Sequence, residues 1–101
     1  MQFSKDEVRR LVIESLREML KQDAMTDIPK IDDGTEPIRD LGRDSPDGVE
    51  FACVLSDKLK FHVPDEINPF VDDDGCRARR VGQIVDLIYN LLVQQQEANH
   101  A

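Results

Sequence analysis

The sequence predicts an all-α fold: a small bundle of three main helices plus a short helical turn. Three observations carry this. Apolar residues recur at three- and four-residue spacing in three separate segments, each long enough for a helix. No segment reads convincingly as a strand. The connections between the three segments are long, so their apolar stripes can be buried only against one another. A chain of 101 residues favours one small domain, 1–101, and there is no internal repeat or low-complexity region.

The first helix is expected over 5–22. Ser4 and Glu7 have the spacing of a capping box, and Val8, Leu11, Val12, Leu16, Met19 and Leu20 form one stripe. A long polar loop follows over 23–44, where Pro29, Gly34, Pro37 and Gly42 break regular structure. Ile28, Ile31, Ile38 and Leu41 punctuate this loop and should pin it to the core. The second helix is expected over 46–60, with Val49, Ala52, Cys53, Leu55 and Leu59 on its apolar face and Phe51 nearby; Pro64 lies shortly beyond it. The segment 65–80 reads as an irregular insert with one short helical turn. The last helix is expected over 79–95, on the stripe of Val81, Ile84, Val85, Ile88, Leu91 and Leu92, and residues 96–101 read as a frayed tail.

Charge narrows the function. The net charge is -8, which argues against nucleic acid, whose phosphates need Lys and Arg, and against an anionic membrane surface. Residues 23–75 hold 15 acids against 5 bases, so the middle of the chain is the acidic part. Five aromatic residues and no Trp argue against an aromatic-lined pocket. No apolar run is long enough to span a bilayer, and the N-terminus is charged within a few residues, which predicts a cytoplasmic protein. Cys53 and Cys76 lack metal-site or redox spacing; Cys53 is expected partly buried, and a disulfide is not expected in a reducing compartment. Neither His62 nor His100 has a motif of its own. Asp72-Asp73-Asp74-Gly75 invites a calcium reading, but aligning Gly75 with the sixth loop position puts Phe70 first and Val81 twelfth, so an EF-hand is rejected.

The stretch "IRDLGRDSPDGVEF", 38–51, concentrates the functional signal. Ser45 at the N-cap would accept from an early backbone N–H, an interaction of about 1 kcal/mol. Pro46 at the first helical position would lose only a donor that is unpaired anyway. Asp47 and Glu50 complement the helix dipole, and the same positive end would seat a phosphate ester on the serine. A plain cap accounts for these residues without further function. Asp44 sits just before the helix, and Asp47, Glu50 and Asp57 fall on roughly one face, which reads equally as a solvated surface.

With "DLGRDSPDGVEF" followed by an apolar helix and "FHVPDE", the chain resembles the acyl carrier protein family, whose signature is D-L-G-x-D-S followed by an apolar residue. Val49 and Glu50 match the Val-Glu pair that follows the serine, and helix order, length and acidity agree. The resemblance implies that Ser45 carries a covalent 4'-phosphopantetheine, transferred from coenzyme A by a phosphopantetheinyl transferase, whose thiol holds an acyl group as a thioester. It implies a carrier without catalysis of its own, with no metal, most simply a monomer. Its partners would be acyl-loading, acyl-transferring or condensing enzymes with basic patches, meeting Asp44, Asp47, Val49, Glu50 and Asp57. Phe51, Leu55, Leu59, Val63, Ile84 and Ile88 would line an acyl cavity, or serve as plain core.

The departures point to a specialised carrier in fatty acid, lipid or polyketide assembly. Pro46 stands where the family has Leu or Met, Gly48 weakens the first turn by about 0.5–1 kcal/mol, Lys58 and Lys60 dilute the acidic face, and the 65–80 insert is longer than usual. Three rivals remain open: an aminoacyl or peptidyl carrier, an unmodified interaction module in which Ser45 is only a helix cap, and regulatory phosphorylation at Ser45.

Overall fold

A computed structural model describes residues 3–23 and 27–99. The described residues form a helical bundle with four helices: α1 (Lys5–Gln22), α2 (Pro37–Asp40), α3 (Ser45–Leu59) and α4 (Val81–Asn99). α1 packs against both α3 and α4.

α1 follows its pattern. Ser4 Oγ accepts from Glu7 N–H at 3.2 Å, and the Glu7 carboxylate accepts from Ser4 N–H. Val8, Val12, Leu16, Met19 and Leu20 are buried, while Leu11 is only partly so. Ser15 is buried among them and accepts from the Lys58 ammonium at 3.1 Å, and Lys58 also pairs with Glu18. That cluster ties α1 to α3 and explains Lys58 as a bundle contact.

The loop 23–44 is pinned as expected. Ile31 and Leu41 are buried, and Ile28 and Ile38 pack on the core from its edge. It is not free of regular structure, however. Pro37 opens α2 rather than breaking it, because proline at a first helical position loses only an unpaired donor. Asp40 reaches back to accept from Glu36 N–H at 2.8 Å, which holds its pKa below the ordinary aspartate value. Gly42, at φ 67°, then turns the chain towards α3.

The short helical turn therefore lies at 37–40, and 65–80 contains none. The insert is a hairpin-like loop with one antiparallel bridge, Val71 to Ala78. Phe70 anchors it: the ring is fully buried, 5.1 Å from that of Phe51 between centroids. α4 starts at Val81, two residues later than predicted, because Val81 and Gly82 N–H donate to the carbonyls of Thr35 and Asp33 and so fix where the helix begins. It runs to Asn99, so most of the predicted frayed tail is helical; residues 100 and 101, with His100, lie outside the described residues. Val81, Ile84, Val85, Ile88 and Leu92 are buried, and Leu91 partly. No described helix is long and apolar enough to cross a membrane.

Candidate functional site

The start of α3 is built by the four residues before it. Leu41 is buried and Gly42 turns the chain. The Arg43 guanidinium is nearly buried, ion-paired with Asp23 at the end of α1 and 3.9 Å from Asp47. Asp44, not Ser45, is the N-cap: its carboxylate accepts from Asp47 N–H at 3.0 Å, and Asp47 accepts from Asp44 N–H at 3.1 Å. Physically, Asp44-x-x-Asp47 is a reciprocal box, whereas Ser45-x-x-Gly48 would leave nothing to reach back. Ser45 is thus the first helical residue and Pro46 the second.

This shift changes what Ser45 can do. The residue is exposed, and among the described residues its hydroxyl takes part in no hydrogen bond. A hydroxyl free of capping duty fits esterification. The predicted phosphate seat is poorer than the sequence suggested. Asp44 takes the Asp47 N–H, Gly48 N–H donates to Asp44 O, and Pro46 has none, which leaves the N–H of Ser45 itself.

The far side of this turn is clamped by the insert. Asn68 Nδ2 donates to Ser45 O at 2.9 Å, and Asn68 Oδ1 accepts from Phe70 N–H at 2.9 Å. The Asn68 carbonyl accepts from Arg79, whose other amino group pairs with Asp73. Gly48 makes room for the clamp: a Cβ there would lie 2.0 Å from Asn68 Oδ1. The apparent weakness in the first turn is the condition for a close approach.

The acidic face divides in two. Asp44 and Asp47 are committed to the cap, and Asp47 is half-buried beside Arg43. Glu50 and Asp57 are exposed and form no ion pair among the described residues. Val49 stands beside them at 58% exposure, a large apolar side chain left in solvent. Cys53, predicted partly buried, is exposed, one helical turn from Val49 on the same ridge; Cys76 is exposed too, and both are free thiols. Apolar spacing alone could not separate the ridge from the core face.

The residues expected to line an acyl cavity, or to serve as plain core, fall mostly in the core. Phe51, Leu55, Leu59, Ile84 and Ile88 are packed core, each 2% exposed or less. Val63 borders a half-open surface groove of about 530 Å³ between α3 and the segment after it. Val49, Ala52, Ser56, His62 and Ile67 help to line it. His62 is held by its backbone, whose N–H and carbonyl both meet the Gln95 amide. In the insert, Asp72 accepts from Cys76 and Arg77 N–H, both at 3.2 Å.

Arg43 and Asn68 are the site residues that sequence reasoning missed. Gly48 was the available signal for Asn68, since a glycine in a first turn asks what approaches it. Compared with known proteins, the chain has no match among family models, curated proteins or solved structures.

Proposed function

We propose that this chain is an acyl carrier protein, modified on Ser45 with 4'-phosphopantetheine and serving fatty acid, lipid or polyketide assembly in the cytoplasm. The observation that supports it best is the division of labour at the start of α3. Asp44 and Asp47 build the helix end, so the exposed Ser45 hydroxyl is left without a structural task.

Ser45 Oγ would attack the β-phosphorus of coenzyme A. The bond from that phosphorus to the nucleotide's bridging oxygen would break, and adenosine 3',5'-bisphosphate would leave. No His lies beside Ser45, and the flanking carboxylates are already hydrogen-bonded, so the base that takes the serine proton belongs to the transferase. Once attached, the arm supplies a thiol that carries an acyl group as a thioester. The chain's own residues do the rest. Asn68 and Arg43 hold the attachment turn from either side. Val49, with Glu50 and Asp57, offers partners an apolar contact rimmed by free negative charge, which speeds encounter with basic patches. The groove beside Val49 offers an outer surface along which a tethered chain can lie, in place of an internal cavity.

The test is an intact mass after incubation with coenzyme A and a broad-specificity phosphopantetheinyl transferase. Wild type should gain one phosphopantetheine and Ser45→Ala none. If no transferase tried, including those of its own source, modifies the wild type, the chain is an unmodified interaction module instead. A native thioester to an amino acid would make it an aminoacyl carrier.

A further inference from the structure

The place of the cap changes the setting of Pro46. In a helix that began at Pro46, the residue before the proline would be the extended cap. α3 begins at Ser45 instead, and the extended cap is Asp44, so the residue before the proline is helical. A proline ring crowds the backbone of the residue it follows and biases that residue away from the helical region. The Asp44–Asp47 box bonds to the N–H groups of those two residues and leaves the Ser45 carbonyl alone.

Asn68 reaches that carbonyl. Its Nδ2 donates to Ser45 O at 2.9 Å, from a position 23 residues along the chain. Turning Ser45 from helical to extended is a rotation about the bond between its Cα and carbonyl carbon, which swings this oxygen away from the amide. The amide is itself held in place. Asn68 Oδ1 accepts from Phe70 N–H at 2.9 Å, and the Asn68 carbonyl accepts from the nearly buried Arg79 at 3.0 Å. Pro69 and Phe70, the next two residues, are buried. Gly48 lets the clamp stand this close, since a Cβ there would lie 2.0 Å from Asn68 Oδ1. The Ser45 hydroxyl is exposed and takes part in no hydrogen bond among the described residues, so only the backbone decides where its Cα–Cβ bond points.

We propose that Asn68 is a positioning residue for the modification of Ser45: by holding the Ser45 carbonyl against the bias of Pro46, it keeps the hydroxyl presented to the transferase. The insert thereby sets how fast the chain is loaded. Asn68 touches none of the reacting atoms and acts through the Ser45 backbone, where a small misplacement of the attacking oxygen slows the chemical step. The proposal rests on the carrier reading.

Asn68→Asp isolates the bond. A carboxylate still accepts from Phe70 N–H but cannot donate to Ser45 O, whereas Asn68→Ala would also free Phe70 N–H and loosen the hairpin. In the unmodified full chain, the Ser45 Cα chemical shift should be helical in the wild type. It should move towards the random-coil value in Asn68→Asp and return in Asn68→Asp/Pro46→Ala. Phosphopantetheine transfer is then followed in single turnovers, with a broad-specificity transferase in excess and coenzyme A saturating. The maximal rate should fall at least about threefold in Asn68→Asp, the size of one lost hydrogen bond. The transferase concentration that gives half the maximal rate should stay as in the wild type, because Val49, Glu50 and Asp57 are untouched. In a Pro46→Ala background the same substitution should lose most of its effect on the rate. An unmoved Ser45 shift, a wild-type rate in Asn68→Asp, or a loss of the same size beside Pro46→Ala would each overturn the proposal while leaving the carrier reading intact. So would a loss confined to half-saturation, which would make Asn68 a docking contact. No transfer to the wild type would overturn the carrier reading and this proposal with it.

Discussion

At the start of α3 the capped amides are met within three residues, by Asp44 and Asp47 exchanging side-chain bonds. At the start of α4 they are met by the backbone of a distant turn: Val81 N–H donates to Thr35 O at 2.8 Å and Gly82 N–H to Asp33 O at 2.9 Å. The first end is acidic, self-contained and open to solvent. The second is flanked by arginines and welded to the loop before α2, so closely that a Cβ on Gly82 would lie 3.3 Å from the Asp33 carbonyl oxygen. The insert touches both, through Asn68 at α3 and Arg79 at the approach to α4. A locally capped end can present a residue such as Ser45 without spending its hydroxyl. A tertiary-capped end cannot form until its partners arrive, and its own side chains are freed for other work.

The strongest way to break the comparison is to remove the insert's anchor. Phe70→Ala should cost about 3–5 kcal/mol in urea denaturation, because the ring is fully buried against Phe51 and holds the hairpin that serves both ends. A loss below about 1 kcal/mol would mean that the hairpin lies outside the cooperative core.

A smaller effect sharpens the α3 side. Asp44→Ala should cost about 1 kcal/mol as a lost cap, whereas Ser45→Ala should fall within about 0.5 kcal/mol of wild type. Equal losses would return the cap to Ser45, as the sequence first suggested.

The finest test concerns a sign. Gly48→Ala in the wild type displaces Asn68 and its two hydrogen bonds, which outweighs the gain in helix propensity and should destabilise by up to about 1 kcal/mol. In an Asn68→Ala background the obstacle is gone, and the same substitution should stabilise by about 0.5–1 kcal/mol. The same sign in both backgrounds would show that Asn68 does not make Gly48 necessary.

Much of this architecture was legible beforehand, and the misses have physical causes. α1 carried both its stripe and its capping box in plain sequence. The isoleucines at 28, 31 and 38 and Leu41 correctly marked a pinned loop. α2 was hidden because four residues make barely one turn, too few for a period, and because Pro37 was read as a breaker. The extension of α4 to Asn99 has no apolar stripe to announce it; its glutamines are simply compatible with helix. The cap was misplaced by one residue although Asp44 and Asp47 stood at box spacing, a readable signal overlooked in favour of the serine. Cys53 and the supposed cavity residues were ambiguous because apolar character says which residues can be buried, not which face of a helix meets another.

Local pattern alone was enough to place the three long helices, to make the chain all-α and to draw attention to 38–51, because periodicity and turn chemistry act over a few residues. The folded chain was needed to join Asn68 to Ser45, to bring Asp33 and Thr35 under α4 and to leave Val49 in solvent. Those contacts link residues far apart in sequence, and their geometry is decided by how the helices pack, which no short-range pattern encodes.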